Sequence, residues 1–189
     1  MAGGTTTGHT RGAAPNVRPA EPGDLALLGA IERAAGAGFR DLGMDAVADD
    51  EPPPPEVLGG HQRAGRCWVV ADDADAPVAY VTVDVVDAAA HVEQLSVHPR
   101  WARRRLGARL LGTVDDWAGS RGLAWVTLTT FADVPWNGPY YERLGFRVVA
   151  PAEQSAGLRR IRDEEAGRGL DRWPRVAMRR AVHGHGASG

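Results

Sequence analysis

The stretch Val97-His98-Pro99-Arg100-Trp101-Ala102-Arg103-Arg104-Arg105-Leu106-Gly107-Ala108 decides the fold. Before it runs a strand pattern over 91–97, which His98-Pro99 stops because proline cannot extend a ladder. After it comes a helix from about 106 to 120, with Leu106, Leu110, Leu111, Val114 and Trp117 on one 3.6-residue stripe. A strand rich in β-branched residues, 124–131, follows. Strand, helix, strand in that order predicts a right-handed parallel crossover.

The three consecutive arginines sit where a helix starts. The helix N-terminus carries partial positive charge, so cations there are disfavoured unless an anion lies between them. Unpaired N–H groups of the first turn point to the same place, and Gly107 has no Cβ to keep a ligand away. The pattern reads as a pyrophosphate cradle. A solvated basic turn is the plainer alternative. A nucleic-acid patch is a third, without a recognition module or an aromatic stacking platform to support it.

Composition narrows the chemistry. All 22 basic residues of the 189 are arginine. With no lysine there is no P-loop lysine, no kinase strand lysine and no Schiff base for pyridoxal phosphate. The formal net charge of −2 gives no global attraction to nucleic acid or to acidic membranes. No apolar run approaches the roughly 20 residues of a membrane span, so no membrane partner is expected. The single cysteine, Cys67, excludes an internal disulfide and a cysteine-cluster metal site, and no metal is expected. Residues 1–14 have no apolar h-region and read as a disordered arm. The tail 183–189, with His183 and His185, reads the same way, leaving one domain over 15–182. A cytoplasmic location fits these features.

Further strands are predicted at 17–19, 67–71, 78–86, 146–149 and 175–182. A helix opening at Asp24 ends at Gly36 and Gly38. An irregular acidic segment, 39–51, leads through four prolines into a short helix at 56–63. Another short helix covers 139–144, and an arginine- and glutamate-rich helix covers 154–167. The expected fold is α/β (α+β): a mixed, mostly antiparallel sheet of about seven strands with helices on both faces.

These residues resemble those of the GCN5-related N-acetyltransferases. In motif A of that family a strand ends in Val-x-Pro and is followed by (Arg/Gln)-x-x-Gly-x-(Gly/Ala). Here Ala102 stands at the Arg/Gln position, Arg105 at the first glycine and Gly107 at the second. Asn137-Gly138-Pro139-Tyr140-Tyr141-Glu142-Arg143-Leu144-Gly145-Phe146 is similar to the family's Asn…Tyr-x-x-x-Gly-Phe segment. Together the motifs and the hairpin before them cover roughly 17–150.

The resemblance implies acetyl-CoA as donor cosubstrate, an amine of a small molecule or peptide as acceptor, and a sheet splayed between strands four and five. Pantetheine would pair with the open edge at Leu95, Ser96 and Val97, and the Val97 N–H would polarise the thioester carbonyl. Pyrophosphate would lie on Arg103, Arg104, Arg105, Leu106, Gly107 and Ala108. Asn137 would meet the pantetheine or cap the short helix. Tyr141 matches the general acid that protonates the leaving thiolate, and Tyr140, its helix neighbour, should point elsewhere.

For the general base the resemblance favours Glu93, which simple alternation would place on the face of Leu95 and Val97 unless a bulge intervenes. His91 and Asp133 are reserves, and Trp136 either lines the acceptor pocket or packs. Asp41, Asp45, Asp49, Asp50 and Glu51 would favour a cationic acceptor, or are simply solvated. The 154–167 helix is expected to close over part of the acceptor cleft. A homodimer is left open, since no apolar stripe marks an interface. A non-catalytic acyl-CoA-binding protein on the same fold is the alternative function.

Overall fold

The computed structural model describes residues 16–182. The proposed arm at 1–14 and tail at 183–189 lie outside them. In chain order the elements are β1 (Asn16–Pro19), α1 (Leu25–Gly36), α2 (Asp45–Ala48) and α3 (Pro55–Arg63). Then come β2 (Cys67–Ala71), β3 (Pro77–Val86), β4 (Ala89–Val97) and α4 (Leu106–Ser120). The chain finishes with β5 (Trp125–Phe131), α5 (Gly138–Arg143), β6 (Arg147–Val149), α6 (Ala156–Gly167) and β7 (Arg175–Ala181).

All seven strands form one sheet in the order β1-β2-β3-β4-β5-β7-β6. β4 and β5 are parallel and the other pairs antiparallel, as the strand–helix–strand order predicts. α4 covers one face. Its Leu106, Leu110, Leu111, Val114 and Ala118 pack on Val81, Val83, Ala90, Val92, Val126, Leu128 and Met178. Each such aliphatic side chain contributes about 1.5–3 kcal/mol on burial, so this layer is the main apolar core. On the other face Leu28 and Ile31 of α1 and Leu58 of α3 pack on Cys67, Val69 and Tyr80. Further along that face Leu158 of α6 meets Val149 and Ala177.

Several expected boundaries move for physical reasons. The α-helical part of the first stretch ends at Gly36, as expected, but the chain keeps turning. A 3-10 turn continues from Ala37 to Leu42, and Gly43 stops it with a left-handed φ of 69°. The acidic segment is partly ordered as well, because Met44 anchors it on Phe131 and Val134. The last proline of the run, Pro55, is the first residue of α3, where the missing N–H costs nothing.

α6 is tied across the sheet face at both ends. Asp87 and Ala88, both at positive φ, form the tight turn between β3 and β4. The Asp87 carboxylate accepts the Gly157 N–H of the first turn of α6. A Cβ on Gly157 would lie 2.6 Å from both Asp87 Oδ2 and Val86 Cγ1, so this approach needs glycine. At the far end Glu165 is held by Arg162, Arg175 and Thr129.

Candidate functional site

The pairing of β4 with β5 runs from Ala89↔Trp125 only as far as Val92↔Leu128. Beyond it β4 pairs with β3 alone, through Val81↔Leu95, Tyr80↔Ser96 and Ala79↔Val97. β5 continues on β7 alone to Phe131. The sheet is therefore splayed where expected, and the β4 edge from Glu93 to Val97 turns unpaired backbone groups toward the gap. Buried backbone groups need partners, so such an edge suits an extended polar ligand.

At the end of this edge lies the arginine turn. Arg103, Arg104 and Arg105 are all exposed, and no salt bridge among the described residues engages them. Arg104 stacks on Trp101 with its guanidinium carbon 4.5 Å from the ring centroid. Arg105 is the N-cap of α4 and adopts φ 58°, the left-handed conformation; Arg103 has φ 63°. A left-handed residue followed by a helical turn curves successive N–H groups into an anion-binding concavity. Arginine thus performs at 105 a turn that glycine performs without strain. Arg105→Gly should leave stability unchanged or raise it by up to about 1 kcal/mol. An anionic ligand seated on this turn should bind the variant about tenfold more weakly, since a charge-assisted contact from Arg105 would be lost. Thermal melts and coenzyme titration together check this.

Gly107 lies in tight contact. A Cβ there would sit 2.7 Å from Tyr140 Oη and 3.3 Å from Leu95 Cδ2. Tyr140, expected to point elsewhere, in fact presents its hydroxyl to the first turn of α4. Burial raises its pKa, with the Arg143 charge and a hydrogen bond from the Ala108 backbone acting the other way. The two tyrosines share one cluster, with ring centroids 5.4 Å apart in a T-shape. Nothing in the helical spacing shows this, because α5 is only six residues long and both rings reach past it.

Tyr141 is buried against Phe146, 9% exposed. Burial pushes its hydroxyl well above the ordinary range, so it stays protonated at any working pH. Among the described residues that hydroxyl has no hydrogen-bond partner. Asn137 does not cap α5 with its side chain; its amide donates to Thr130 Oγ1 at 2.8 Å and ties the α5 entrance to β5.

Glu93 occupies the bulge. The β3–β4 register passes from Thr82↔Gln94 to Val83↔Val92, leaving Glu93 as the extra residue. Val92, Leu95 and Val97 belong to the α4-side core. Gln94 and Ser96 are joined by a hydrogen bond on the opposite face. The charges acting on Glu93 come from Asp84, His61, Glu165 and Arg168, all on that opposite side. The bulge therefore turns Glu93 away from the face of Leu95 and Val97 that alternation assigns to it. Glu93 is exposed to solvent, yet enough protein surrounds it that desolvation raises its pKa, and Asp84 raises it further.

The same face carries Glu32 of α1, whose carboxylate accepts the buried Tyr80 hydroxyl. Desolvation raises the Glu32 pKa despite that bond. Asp84 accepts from Arg66 at 2.8 Å and lies 3.3 Å from His61 Nε2. His91 is enclosed between strands, bonded to Thr127 Oγ1 at 3.0 Å, and desolvation lowers its pKa to about 4. Buried and held there, it is a poor reserve base. Asp133 lies in the loop after β5, away from the bulge in sequence. Trp136 is 45% exposed and packs edge-on against Phe39. In the acidic segment Arg40 pairs with Asp49 and Arg33 with Glu51, so part of its charge is already neutralised.

His61 and Tyr140 were not singled out as candidates from sequence. No periodicity marks either one, and only the folded sheet brings them to the site. Among the described residues no group of three or more His, Cys, Asp or Glu side chains is arranged to hold a metal ion. No helix among them is long and apolar enough to cross a membrane.

Comparison with known proteins matches this arrangement. Structures of similar fold include the ribosomal-protein-S18-alanine N-acetyltransferase of Escherichia coli, at 19% identity and TM-score 0.63, covering 93% of this chain and 98% of that one. The PaiA N-acetyltransferase of Thermoplasma acidophilum, solved with coenzyme A, aligns over 89% of this chain and 99% of its own at 11% identity and TM-score 0.67. N-acetylglutamate synthase of Neisseria gonorrhoeae, solved with coenzyme A and N-acetyl-glutamate, aligns over 90% of this chain and 36% of its own, at 16% identity and TM-score 0.66. The model of the acetyltransferase (GNAT) family matches residues 31–146, which run from α1 through the arginine turn to Phe146, and the chain therefore belongs to that family.

Proposed function

We propose that the protein transfers an acetyl group from acetyl-CoA to a primary amine of a small molecule or peptide, by direct attack. The observation that carries this reading is the unpaired β4 edge, with the arginine turn at one end and the bulged carboxylate Glu93 at the other. In this reading pantetheine lies along Leu95, Ser96 and Val97, and pyrophosphate lies on residues 103–108. The acceptor enters from the face of α1 and α6. Its amine arrives as ammonium, since its pKa is near 10. Glu93 takes that proton, directly or through water. The neutral amine then attacks the thioester carbonyl, whose developing oxyanion meets the Val97 N–H. As the tetrahedral intermediate collapses, Tyr141 gives its proton to the departing thiolate; the second proton of the attacking nitrogen is lost as the amide forms and restores the tyrosine through water, while Glu93 returns its proton to solvent.

The surroundings of Glu93 support this assignment. A carboxyl whose pKa is raised lies closer to the working pH and is the better proton acceptor for it. Nearby Asp84 and Glu165 are already matched by Arg66 and by Arg162 and Arg175, so among the described residues the unmatched carboxyl at this face is Glu93 itself. Side-chain lysines are absent from the chain, so the enzyme cannot acetylate itself on lysine. Thiol release in a panel of added amines is therefore read against a low background.

Stabilisation by acetyl-CoA in a thermal shift, followed by thiol release with an amine, tests the function. No shift at millimolar acetyl-CoA would overturn it. A shift without turnover on any amine would leave a coenzyme-binding protein. The two tyrosines should separate kinetically. Tyr141→Phe should lower kcat on the order of 10²-fold with little change in coenzyme binding or stability. Tyr140→Phe removes a hydroxyl from the first turn of α4 and should change KM for acetyl-CoA instead. The reverse pattern would exchange their roles.

A further inference from the structure

His61 sits on α3, outside both sequence motifs, and is 9% exposed. Its Nδ1 is 3.2 Å from the Val57 carbonyl oxygen, one helical turn back. A carbonyl only accepts, so this contact requires the proton on Nδ1. That leaves Nε2 buried and without a hydrogen bond, facing Asp84 Oδ1 at 3.3 Å. With Nε2 bare, two lone pairs oppose each other. With Nε2 protonated, the contact is an ion pair. Asp84 is already bound by Arg66 at 2.8 Å and so does not rotate freely away.

This pair lies beside the proposed base. Asp84 faces His91 across the β3–β4 ladder, and Glu93 is bulged out between His91's neighbour Val92 and Gln94. Both carboxylates are on the α1–α6 face, and each acts on the other's surroundings. The charged groups around Glu93 come from several elements. Asp84 on β3, Glu165 on α6 and Glu32 on α1 are acidic. Facing them are His61 on α3, Arg168 at the C-terminal end of α6, Arg66 against Asp84, and Arg162 of α6 and Arg175 of β7 against Glu165. Buried His91 on β4 itself is neutral above about pH 4.

We propose that His61 is a positioning residue of the acetyl transfer: its Nε2 proton, held against Asp84, joins Arg66 in offsetting that carboxylate beside Glu93 and keeps the Glu93 side chain available as a carboxylate. The proposal rests on the reading of Glu93 as the base.

The test is the pH profile of kcat/KM for the best amine acceptor, measured on the full chain. His61→Gln places an amide N–H near the Nε2 position, within reach of Asp84, but carries no charge. It should move the acidic limb to higher pH by on the order of half a unit to one unit. Asp84→Asn should move the limb the opposite way. Arg168→Gln, an exposed change that does not endanger folding, should move it in the same direction as His61→Gln. A uniform fall in kcat/KM at every pH with an unmoved limb for His61→Gln, while Arg168→Gln displaces it, would make His61 merely structural and overturn the proposal. Failure of the underlying reading looks different: Glu93→Gln would then retain full activity and its acidic limb.

Discussion

Glu93→Gln is expected to lower kcat/KM by roughly 10²–10⁴-fold, the range for loss of a positioned proton acceptor. The same variant should melt at a higher temperature than the wild type at neutral pH. The sign follows from linkage. The folded-state pKa of Glu93 is raised by desolvation and by Asp84, so the folded protein holds this proton more tightly than the unfolded chain. Its contribution to stability is full below the unfolded value near 4 and is lost as pH rises through the folded value. At pH 7 the ionised carboxylate is therefore a burden on the fold, and glutamine removes the charge while keeping the shape. Above the folded pKa the variant should gain stability; below about pH 4 the difference should vanish. Rate loss together with a raised Tm identifies a group retained for chemistry at the expense of stability. A lowered Tm would show that Glu93 supports the bulge instead.

The second large effect is expected at Glu165, on the same face but with the opposite sign. Burial alone would raise its pKa, but Arg175, Thr129 and Arg162 more than offset that and hold it lowered. Its carboxylate is 2.6 Å from Arg175 Nη2, and both side chains are nearly enclosed. Glu165→Ala leaves Arg175 buried without its carboxylate, a change that costs about 3–5 kcal/mol. At about 2–4 °C per kcal/mol for a chain of this size, Tm should fall by roughly 6–20 °C. Because the pKa is depressed, the stabilisation is present above the unfolded value near 4.3 and is lost as pH falls through the folded value. Acid should therefore weaken the wild type and narrow its gap to the variant. Calorimetry between pH 3 and pH 7 checks both statements, and a Tm change under about 2 °C would contradict the assigned role.

The contrast between these two carboxylates shows where the sequence is readable. α4 and the strands beside it are legible because one period decides each. Leu106, Leu110, Leu111 and Val114 repeat at helical spacing, and all are buried. The splay is legible only through the resemblance, since no local pattern says that pairing stops at Val92. The bulge at Glu93 is invisible for a related reason. An extra residue in a strand leaves no mark on its own composition, yet it reverses the face of everything before it. Tyr140, His61 and Glu165 are contributed by different segments, and their roles depend on distances that only the closed sheet defines. The reading of α6 as a helix follows from sequence. Its attachment to the β3–β4 turn depends on Gly157 fitting against Val86 and Asp87, which is a matter of three-dimensional clearance.

The sheet order has a consequence for how this chain is made. β7, the last strand of the sequence, lies between β5 and β6 and not at an edge. Until residues 175–181 leave the ribosome, β5 has one unsatisfied side and β6 has no neighbour at all. The N-terminal meander can assemble during synthesis, but the half of the sheet beside Tyr141 must wait until β7 has been made. Folding here is governed by contacts distant in sequence, which form slowly. A truncation that spares every proposed site residue but removes β7 should still yield an aggregation-prone fragment, because its exposed strand edges have nothing to pair with.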